Sequence, residues 1–198
     1  MYQLNSPCVK HYLQSIVLIA ALLFSSCVSF QKGMENPSPL TKSNVVSLNG
    51  KYSINASNEE EKTRKYWMYN NFLQELDRKL LADTFKIDSA KTYAVRLEVL
   101  ANDKLKIDYI ENGETIRERI LNAKLKKDGY LYLKNKNVGL VLVPYVAGAI
   151  DIKKTRLSKT EDGELIFDVA NHRSGAFMII AFLDGRTWKY RKIYPKVI

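Results

Sequence analysis

Hydrophobic and polar residues alternate with a period of two along most of the chain after residue 90, which is the pattern of β-strands with one buried face. From Tyr93 to Tyr109 the apolar residues fall mainly on odd-numbered positions, and most of the charged residues fall on even-numbered ones. Similar runs, separated by turn residues, recur to the end of the chain. The pattern predicts ten strands, at about 45–55, 91–101, 104–111, 115–125, 129–135, 138–144, 147–157, 164–170, 175–183 and 186–194.

One segment has the period of a helix instead. Apolar residues recur there every three or four positions, at Tyr66, Tyr69, Leu73, Leu76 and Leu80. Ser57 and Asn58 are residue types that cap helix N-termini, and glutamates follow them in the first turn. The sequence therefore predicts one amphipathic helix at about 59–82, between the first and second strands.

Pairs of residues that favour tight turns separate the predicted strands. Asn-Gly or Asp-Gly occurs at Asn112-Gly113, Asp128-Gly129, Asp162-Gly163 and Asp184-Gly185. Such pairs tolerate the positive φ angles that two-residue hairpins need. We therefore predict an all-β domain, an antiparallel up-and-down meander of about ten strands with one helix. Because consecutive antiparallel strands avoid open edges best by closing on themselves, we expect the meander to form a barrel.

This order of elements resembles the calycin barrels, which are the lipocalins and the fatty-acid-binding proteins. Gly50-Lys51-Tyr52 stands where that family has Gly-x-Trp at the start of its first strand, with Tyr52 in place of tryptophan. Lys192 and Tyr194 lie near the chain end, at a place comparable to the basic residue and tyrosine that bind the ligand carboxylate in fatty-acid-binding proteins. The resemblance is one of fold, and it implies a barrel with an internal ligand site.

The first 26 residues have the pattern of a cleaved export signal. Lys10 precedes the apolar run Ile16–Phe24, and small residues follow it. Phe24-Ser25-Ser26-Cys27 resembles the lipobox of bacterial lipoproteins, in which the cysteine becomes the first mature residue and carries diacylglycerol and usually an amide-linked acyl chain such as palmitate. Two alternatives stay open, namely an uncleaved membrane anchor over 11–31 and a plain secretory signal.

This interpretation divides the chain into three parts. Residues 1–26 are the predicted signal peptide, 27–43 are the lipidated cysteine and a flexible polar tether, and 44–198 are the β-barrel-like domain. Cleavage before Cys27 removes Cys8, so the mature chain would keep no free thiol. Val28 follows the cysteine, where aspartate often marks inner-membrane retention in lipoproteins. The resemblance thus implies a lipid-anchored protein of the cell envelope, on the outer membrane and facing the periplasm.

The charge of the chain adds little to this picture. Its formal net charge is +10 at pH 7, from 31 Lys and Arg against 21 Asp and Glu. The basic residues are scattered, so they predict a solvated surface with some attraction to anionic membranes rather than nucleic-acid binding. The sequence shows no nucleophile motif, metal-ligand cluster or cofactor fingerprint, and His172 is predicted to lie in a loop. We expect no enzyme, no metal site and no cofactor, and the oligomeric state stays open.

Four residues of the last predicted strand form the candidate ligand site. Trp188, Tyr190, Lys192 and Tyr194 share one parity, so they lie on one face of the strand. They would supply aromatic walls and one cation for an anionic headgroup. The alternative is an ordinary core with Lys192 extending to the rim.

Three segments depart from simple alternation. The runs at 138–143 and 176–183 are apolar at both parities, so their second face needs a cover, and the predicted helix is the expected one. In 115–125 the apolar residues change parity, which predicts either a bulge near Ile120 or charged residues on the core side.

The function expected from the sequence is non-enzymatic binding by a membrane-anchored envelope lipoprotein. The ligand class is an apolar or amphipathic small molecule held in the barrel. The alternative is a structural or assembly lipoprotein that binds a protein or cell-wall partner through its outer surface. In both cases the membrane is a partner through the lipid on Cys27.

Overall fold

A computed structural model of the chain describes residues 29–58, 71–76, 87–143, 147–177 and 181–197. A 3-10 helix, Val45–Leu48, precedes the first strand, and an α-helix, α1 (Phe72–Leu76), lies between the first and second strands. The nine described strands are β1 (Gly50–Ser53), β2 (Tyr93–Leu100), β3 (Lys104–Glu111), β4 (Glu114–Leu125), β5 (Leu131–Val143), β6 (Ala147–Lys159), β7 (Leu165–Phe177), β8 (Ala181–Tyr194) and β9 (Lys196–Val197).

The strands form a single antiparallel sheet. Their spatial order is β8-β7-β6-β5-β4-β3-β2-β1-β9, so each strand from β1 to β8 pairs with its neighbours in sequence. Only β9 departs from this order, because it returns to pair with β1 through Lys51 and Tyr52. The predicted antiparallel meander is confirmed, with nine strands in the described part of the chain instead of ten.

Three of the four predicted Asn-Gly and Asp-Gly turns connect strands. Asn112 and Gly113 turn from β3 to β4 with φ angles of 49° and 88°. Gly129 and Gly163 also have positive φ, 74° and 85°, between β4 and β5 and between β6 and β7. The pair Asp184-Gly185 lies inside β8, so the turn predicted there is wrong.

Strands β5, β7 and β8 are longer than the alternation predicts. β5 joins the predicted strands 129–135 and 138–144, with an irregular register between Leu133 and Asn137. β7 continues through His172, which the sequence placed in a loop, and His172 Nδ1 lies 2.9 Å from Thr187 Oγ1 of β8. Hydrogen bonds between backbone groups hold these strands together and do not require alternating side chains. A prediction from alternation alone therefore ended the strands too early.

The first and fourth strands also differ from the sequence prediction. The predicted strand 45–55 is a 3-10 helix followed by the short β1. In β4 the register with β3 shifts at Ile116, whereas Ile120 pairs regularly and is exposed, so the bulge is not where it was predicted. Arg117 and Arg119 share the parity of buried Leu121, so charged residues lie on the core side. This was the second of the two predicted possibilities for this strand.

The sheet is not closed into a barrel by its strand pairs. β8 forms one edge and β9 the other. These two strands are separated in sequence only by Pro195, so the two edges meet where the chain passes from one to the other. Nearby, the amide of Ser53 donates to the carbonyl of Pro195, and the amide of Ser57 donates to that of Ile193, both at 2.8 Å. The expected barrel closure is therefore replaced by a few hydrogen bonds at one end.

One hydrophobic core lies on the face of the sheet that we call the inner face, which carries Leu97, Ile107, Leu157 and Phe167. Strands β1 to β8 and helix α1 all contribute buried residues to it. The ring of Phe72 in α1 packs edge-on against Phe167 at 5.3 Å and Tyr194 at 5.1 Å between centroids. Of the helix predicted at 59–82, the described residues contain α1 alone, and the remainder, apart from 71, lies outside them.

The opposite face, the outer face, carries Arg156, Ser158 and Asp168 and is covered in part by the segment from Ser29 to Leu40. Leu40 itself is buried in the core, and its amide donates to the carbonyl of Gly129 at 2.9 Å. The described part of the predicted tether therefore contacts the domain. Among the described residues, no helix has the length and hydrophobicity of a membrane span.

Candidate functional site

The four residues predicted as a ligand site lie together on β8, on the inner face. Lys192 and Tyr194 are buried, with relative exposures of 1% and 0%, and Trp188 and Tyr190 are half-buried. Across the ladder they pair with residues of β7, namely Asn171, Val169, Phe167 and Leu165. The structure thus places the four residues side by side, and it places two of them inside the core.

Helix α1 occupies the space in front of these residues. Glu75, whose side chain is fully buried, accepts a hydrogen bond from the Tyr190 hydroxyl, at 2.9 Å from each carboxylate oxygen. Lys192 Nζ lies 3.3 Å from Glu75 Oε1. Lys153 of β6 forms an ion pair with the other oxygen and also donates to the backbone carbonyl of Glu75. We call Glu75, Lys153, Tyr190 and Lys192 the inner charge cluster.

The inner charge cluster gives Lys192 a carboxylate from the protein itself. The sequence had suggested a ligand headgroup as the partner of this lysine. The actual partner, Glu75, could not be recognised in the strand pattern because it comes from a helix far away in the chain. Burying charges costs free energy unless they are paired and hydrogen-bonded, which the cluster achieves. The cluster therefore fixes α1 against β6 and β8, and the Lys192 side of the inner face is filled by protein.

A second group of buried charges lies on the outer face. Asp168 of β7 is fully buried and sits in register between Arg156 of β6 and Arg191 of β8. Arg191 donates to both carboxylate oxygens, at 2.7 and 3.0 Å, and Arg156 Nε donates at 2.9 Å. The hydrogen bond to Asp168 raises the pKa of Arg191 further above its usual range. We call these three residues the outer charge cluster.

The segment before the core domain packs onto the outer charge cluster. The Arg156 guanidinium carbon lies 3.6 Å from the ring centroid of Tyr130 and 4.4 Å from that of Phe30. Arg191 Nη1 donates to the carbonyl of Glu35 at 2.7 Å. Asn36 accepts a hydrogen bond from Ser158 of β6. This contact was not predicted from the sequence, since the residues of the segment lie far from β6 to β8 in the chain.

An open groove lies at the end of the sheet where β2 turns into β3. Its volume is about 450 Å³. Half-buried Val45, Val99, Leu100 and Leu125 give it an apolar floor with buried Ala123 and Leu131. Exposed polar residues form its rim, namely Lys42, Asn102, Asp103, Lys104 and Lys124. An apolar floor with a few polar groups on the rim is the usual composition of a small-molecule site, and the volume is within the usual range.

The groove was not predicted from the sequence. Its lysines belong to three separate segments, and only the turn 101–104 and the β4–β5 hairpin bring them to one place. Val99 and Leu125 follow the alternation of ordinary core residues, and the structure leaves both partly exposed at the end of the sheet. One feature of the sequence could have indicated a basic rim, namely the group of lysines at 124–127. These lysines had been interpreted as solvated surface.

The predicted lipidation residue, Cys27, lies outside the described residues, and its modification stays a prediction. Comparison with known proteins adds no assignment, since no protein-family model, no curated protein and no solved structure matches this chain.

Proposed function

We propose that this chain is a lipid-anchored envelope protein whose domain binds an amphipathic anionic molecule, without catalysis, in the groove between the 3-10 helix and the ends of β2 to β5. The anchor is the lipid on Cys27, as the lipobox indicates, and the location is the periplasmic face of the outer membrane. The groove is the observation that carries this proposal.

The groove suits such a ligand because of how its charges and apolar surface are distributed. Lys42, Lys104 and Lys124 surround the apolar floor, against one acidic residue, Asp103. An acyl chain would lie on the floor, and its carboxylate or phosphate would meet the lysines at the rim. The buried face of β8, by contrast, already holds Glu75 next to Lys192.

The lipocalin-like part of the proposal concerns the shape of the sheet. Strands β1 to β8 carry one continuous core on the inner face, and hydrogen bonds from residues 53 and 57 join the start of the sheet to its end. These features support a barrel-like sheet with a helix against its inner face. In this arrangement the ligand site is the groove at one end, and the core itself is filled by α1.

Binding of a fluorescent fatty acid to a soluble chain of residues 28–198 tests the proposal. Replacing both Lys104 and Lys124 by Glu should raise the dissociation constant about tenfold or more, because it reverses the charge at the rim. Titration followed by fluorescence anisotropy measures this change.

Lys134→Glu is the matched control, since Lys134 is an exposed lysine of β5 that does not line the groove. The control should bind like the unmodified chain. Equal affinity for all three proteins would contradict the groove as the binding site, and no binding by any of them would contradict the ligand-binding function.

A second candidate function is favoured by one surface feature. Ile116 and Ile120 of β4 are exposed on the outer side by 42% and 51%, among charged residues. Exposed isoleucines on a sheet face suit a protein partner. If fatty acids do not bind, replacing both isoleucines by Ser should abolish cross-linking to an envelope partner that the unmodified protein retains.

A further inference from the structure

The segment 29–40 is held on the domain mainly by polar contacts. None of the residues 29–39 is buried, and Leu40 is the first buried residue in the part of the chain that the structure describes. An element with few buried apolar contacts separates from its domain at a low cost in free energy. The segment 29–40 can therefore exchange between a docked and a released state.

One attachment point of this segment is the turn between β4 and β5. The carbonyl of Gly129 accepts hydrogen bonds from the amide of Leu40 and from Asn36 Nδ2, both at 2.9 Å. The side chain of Asn36 also accepts a hydrogen bond from Ser158, so it joins the turn to β6. A Cβ atom on Gly129 would lie 2.6 Å from the Cβ atom of Pro39. The glycine thus allows the segment to pack directly on the turn.

The chain crosses the end of the sheet directly after this attachment. Residues 41–49, which we call the crossing segment, form a turn and the 3-10 helix. The amide of Val99 in β2 donates to Asn49 Oδ1 at 2.7 Å, which fastens the far end of the crossing segment. The bond from Leu40 to Gly129 fastens its near end. The crossing segment is therefore held by β2 at one end and by the β4–β5 turn at the other.

The crossing segment is also one wall of the ligand groove. Lys42 and Val45 line the groove from this segment, and Lys124 and Leu131 line it from β4 and β5. No residue of the segment 29–40 lines the groove, but the segment docks on the turn that joins these two strands. Docking of the segment therefore fixes Lys42 and Val45 relative to Lys124.

We propose that docking of the segment 29–40 and ligand binding in the groove stabilise each other, so that the segment regulates the ligand site. The proposal rests on the ligand-binding function proposed above. A ligand on the apolar floor contacts Lys42 and Val45 in the position that the docked segment gives them, so it binds the docked state more tightly. Coupling between two sites is reciprocal, and a bound ligand therefore strengthens docking by the same factor.

Occupancy of the groove would in this way control the length of the tether to the membrane. Release of residues 29–40 would add up to about 40 Å to the tether, since an extended chain spans ~3.3–3.6 Å per residue. A domain with bound ligand would stay close to its anchor, and an empty domain would reach farther from it. This consequence rests on the lipid anchor proposed above.

Limited proteolysis with a glutamate-specific protease tests the coupling in the unmodified chain of residues 28–198, which contains every described residue. Glu35 in the segment and Glu161 in the turn between β6 and β7 are both exposed, so one digest reports on both places. A saturating concentration of the fluorescent fatty acid should slow cleavage after Glu35 several-fold and leave cleavage after Glu161 unchanged. Mass spectrometry of the fragments measures the two rates.

The outcomes of the digest separate the coupling from the ligand-binding function. If the fatty acid binds and cleavage after Glu35 keeps its rate, the coupling is wrong and the binding function stands. If cleavage slows equally at both sites, the ligand stabilises the whole domain and the coupling is again wrong. If the fatty acid does not bind, both proposals fail.

Two variants test the coupling from the side of the segment. Asn36→Ala removes the hydrogen bonds to Gly129 and Ser158 at a residue that does not line the groove. Gly129→Ala places a Cβ atom against Pro39. Both variants should speed up cleavage after Glu35 and raise the dissociation constant for the fatty acid several-fold.

Gly163→Ala is the matched control for Gly129→Ala. The φ angles of Gly163 and Gly129 are 85° and 74°, so alanine is strained at both positions. A Cβ atom on Gly163 would lie more than 4 Å from every described residue except its chain neighbours, so the control should bind like the unmodified chain. Unchanged affinity in Asn36→Ala, together with faster cleavage after Glu35, would overturn the coupling. Circular dichroism shows which variants remain folded, and the digest of the unmodified chain does not depend on them.

Discussion

The two halves of the sheet differ in where their ion-paired residues lie. In β2 to β4, charged residues pair with side chains that remain partly exposed: Lys106 lies 3.0 Å from Glu118, and buried Asp108 lies 3.7 Å from Arg96 and 3.6 Å from Lys106. In β6 to β8, charged residues are buried on both faces, with Glu75 and Lys192 on the inner face and Asp168 on the outer face. The charged residues of β2 to β4 thus have partners that reach solvent, whereas the two charge clusters at β6 to β8 lie mostly inside the protein.

The difference follows from what covers each half. Helix α1 lies against the inner face at β6 to β8 and brings Glu75 to Lys153 and Lys192. The segment from Ser29 to Leu40 covers the outer face at the same strands. On the inner face the covering helix supplies the carboxylate of Glu75 itself. On the outer face Asp168 pairs with Arg156 and Arg191 of the neighbouring strands, and the covering segment adds the carbonyl of Glu35 as a partner of Arg191. In both cases the buried charges are paired and hydrogen-bonded, which offsets the cost of burying them.

Removing Glu75 should have the largest effect on stability. Glu75→Ala leaves Lys153 and Lys192 buried next to each other without this carboxylate, so the free energy of unfolding should fall by about 3–5 kcal/mol. Urea unfolding of residues 28–198, followed by circular dichroism, measures the loss.

Glu118→Ala is the matched control, because Glu118 is an exposed acid of β4 whose partner is also at the surface. A loss after Glu75→Ala no larger than that of the control would show that the inner charge cluster does not hold α1 in place.

Asp168→Asn should have an intermediate effect. The change keeps the shape of the side chain but leaves Arg156 and Arg191 as like charges in contact with a neutral amide, so we expect a loss of about 2–3 kcal/mol. Because Arg191 also holds the carbonyl of Glu35, proteolysis of the segment 29–40 should become faster.

The control for this variant is Asp162→Asn in the exposed turn between β6 and β7. Proteolysis of the segment 29–40 at the same rate in all three proteins would show that the outer charge cluster does not fasten it.

Local chemistry made the meander predictable. The hairpins at Gly113, Gly129 and Gly163 are fixed by residues that accept positive φ, and such a signal is contained in two adjacent residues. The turn wrongly predicted at Asp184-Gly185 shows the limit, since β8 runs through that pair, where its register with β7 shifts without a reversal of the chain. Turn residues permit a turn and do not require it.

The charge clusters and the groove were not predictable in the same way. Glu75 lies 78 residues from Lys153, and Arg191 lies 156 residues from Glu35. Each contact depends on the packing of an element that covers the sheet, and one sequence does not show where such an element docks. The candidate residues on β8 were therefore correctly placed together on one face, while the partner of Lys192 was missed.

The smallest effect is expected for the exposed pair of Lys106 and Glu118. Its charges are solvated and screened by salt, so removing both charges should leave the unfolding midpoint unchanged within error. A double-mutant cycle with Lys106→Met and Glu118→Gln should give no coupling in about 1 M salt. The same cycle on Glu75 and Lys153 should keep a coupling of more than about 1 kcal/mol, because water and ions do not reach the pair. Equal coupling in both cycles would remove the distinction between the two halves of the sheet.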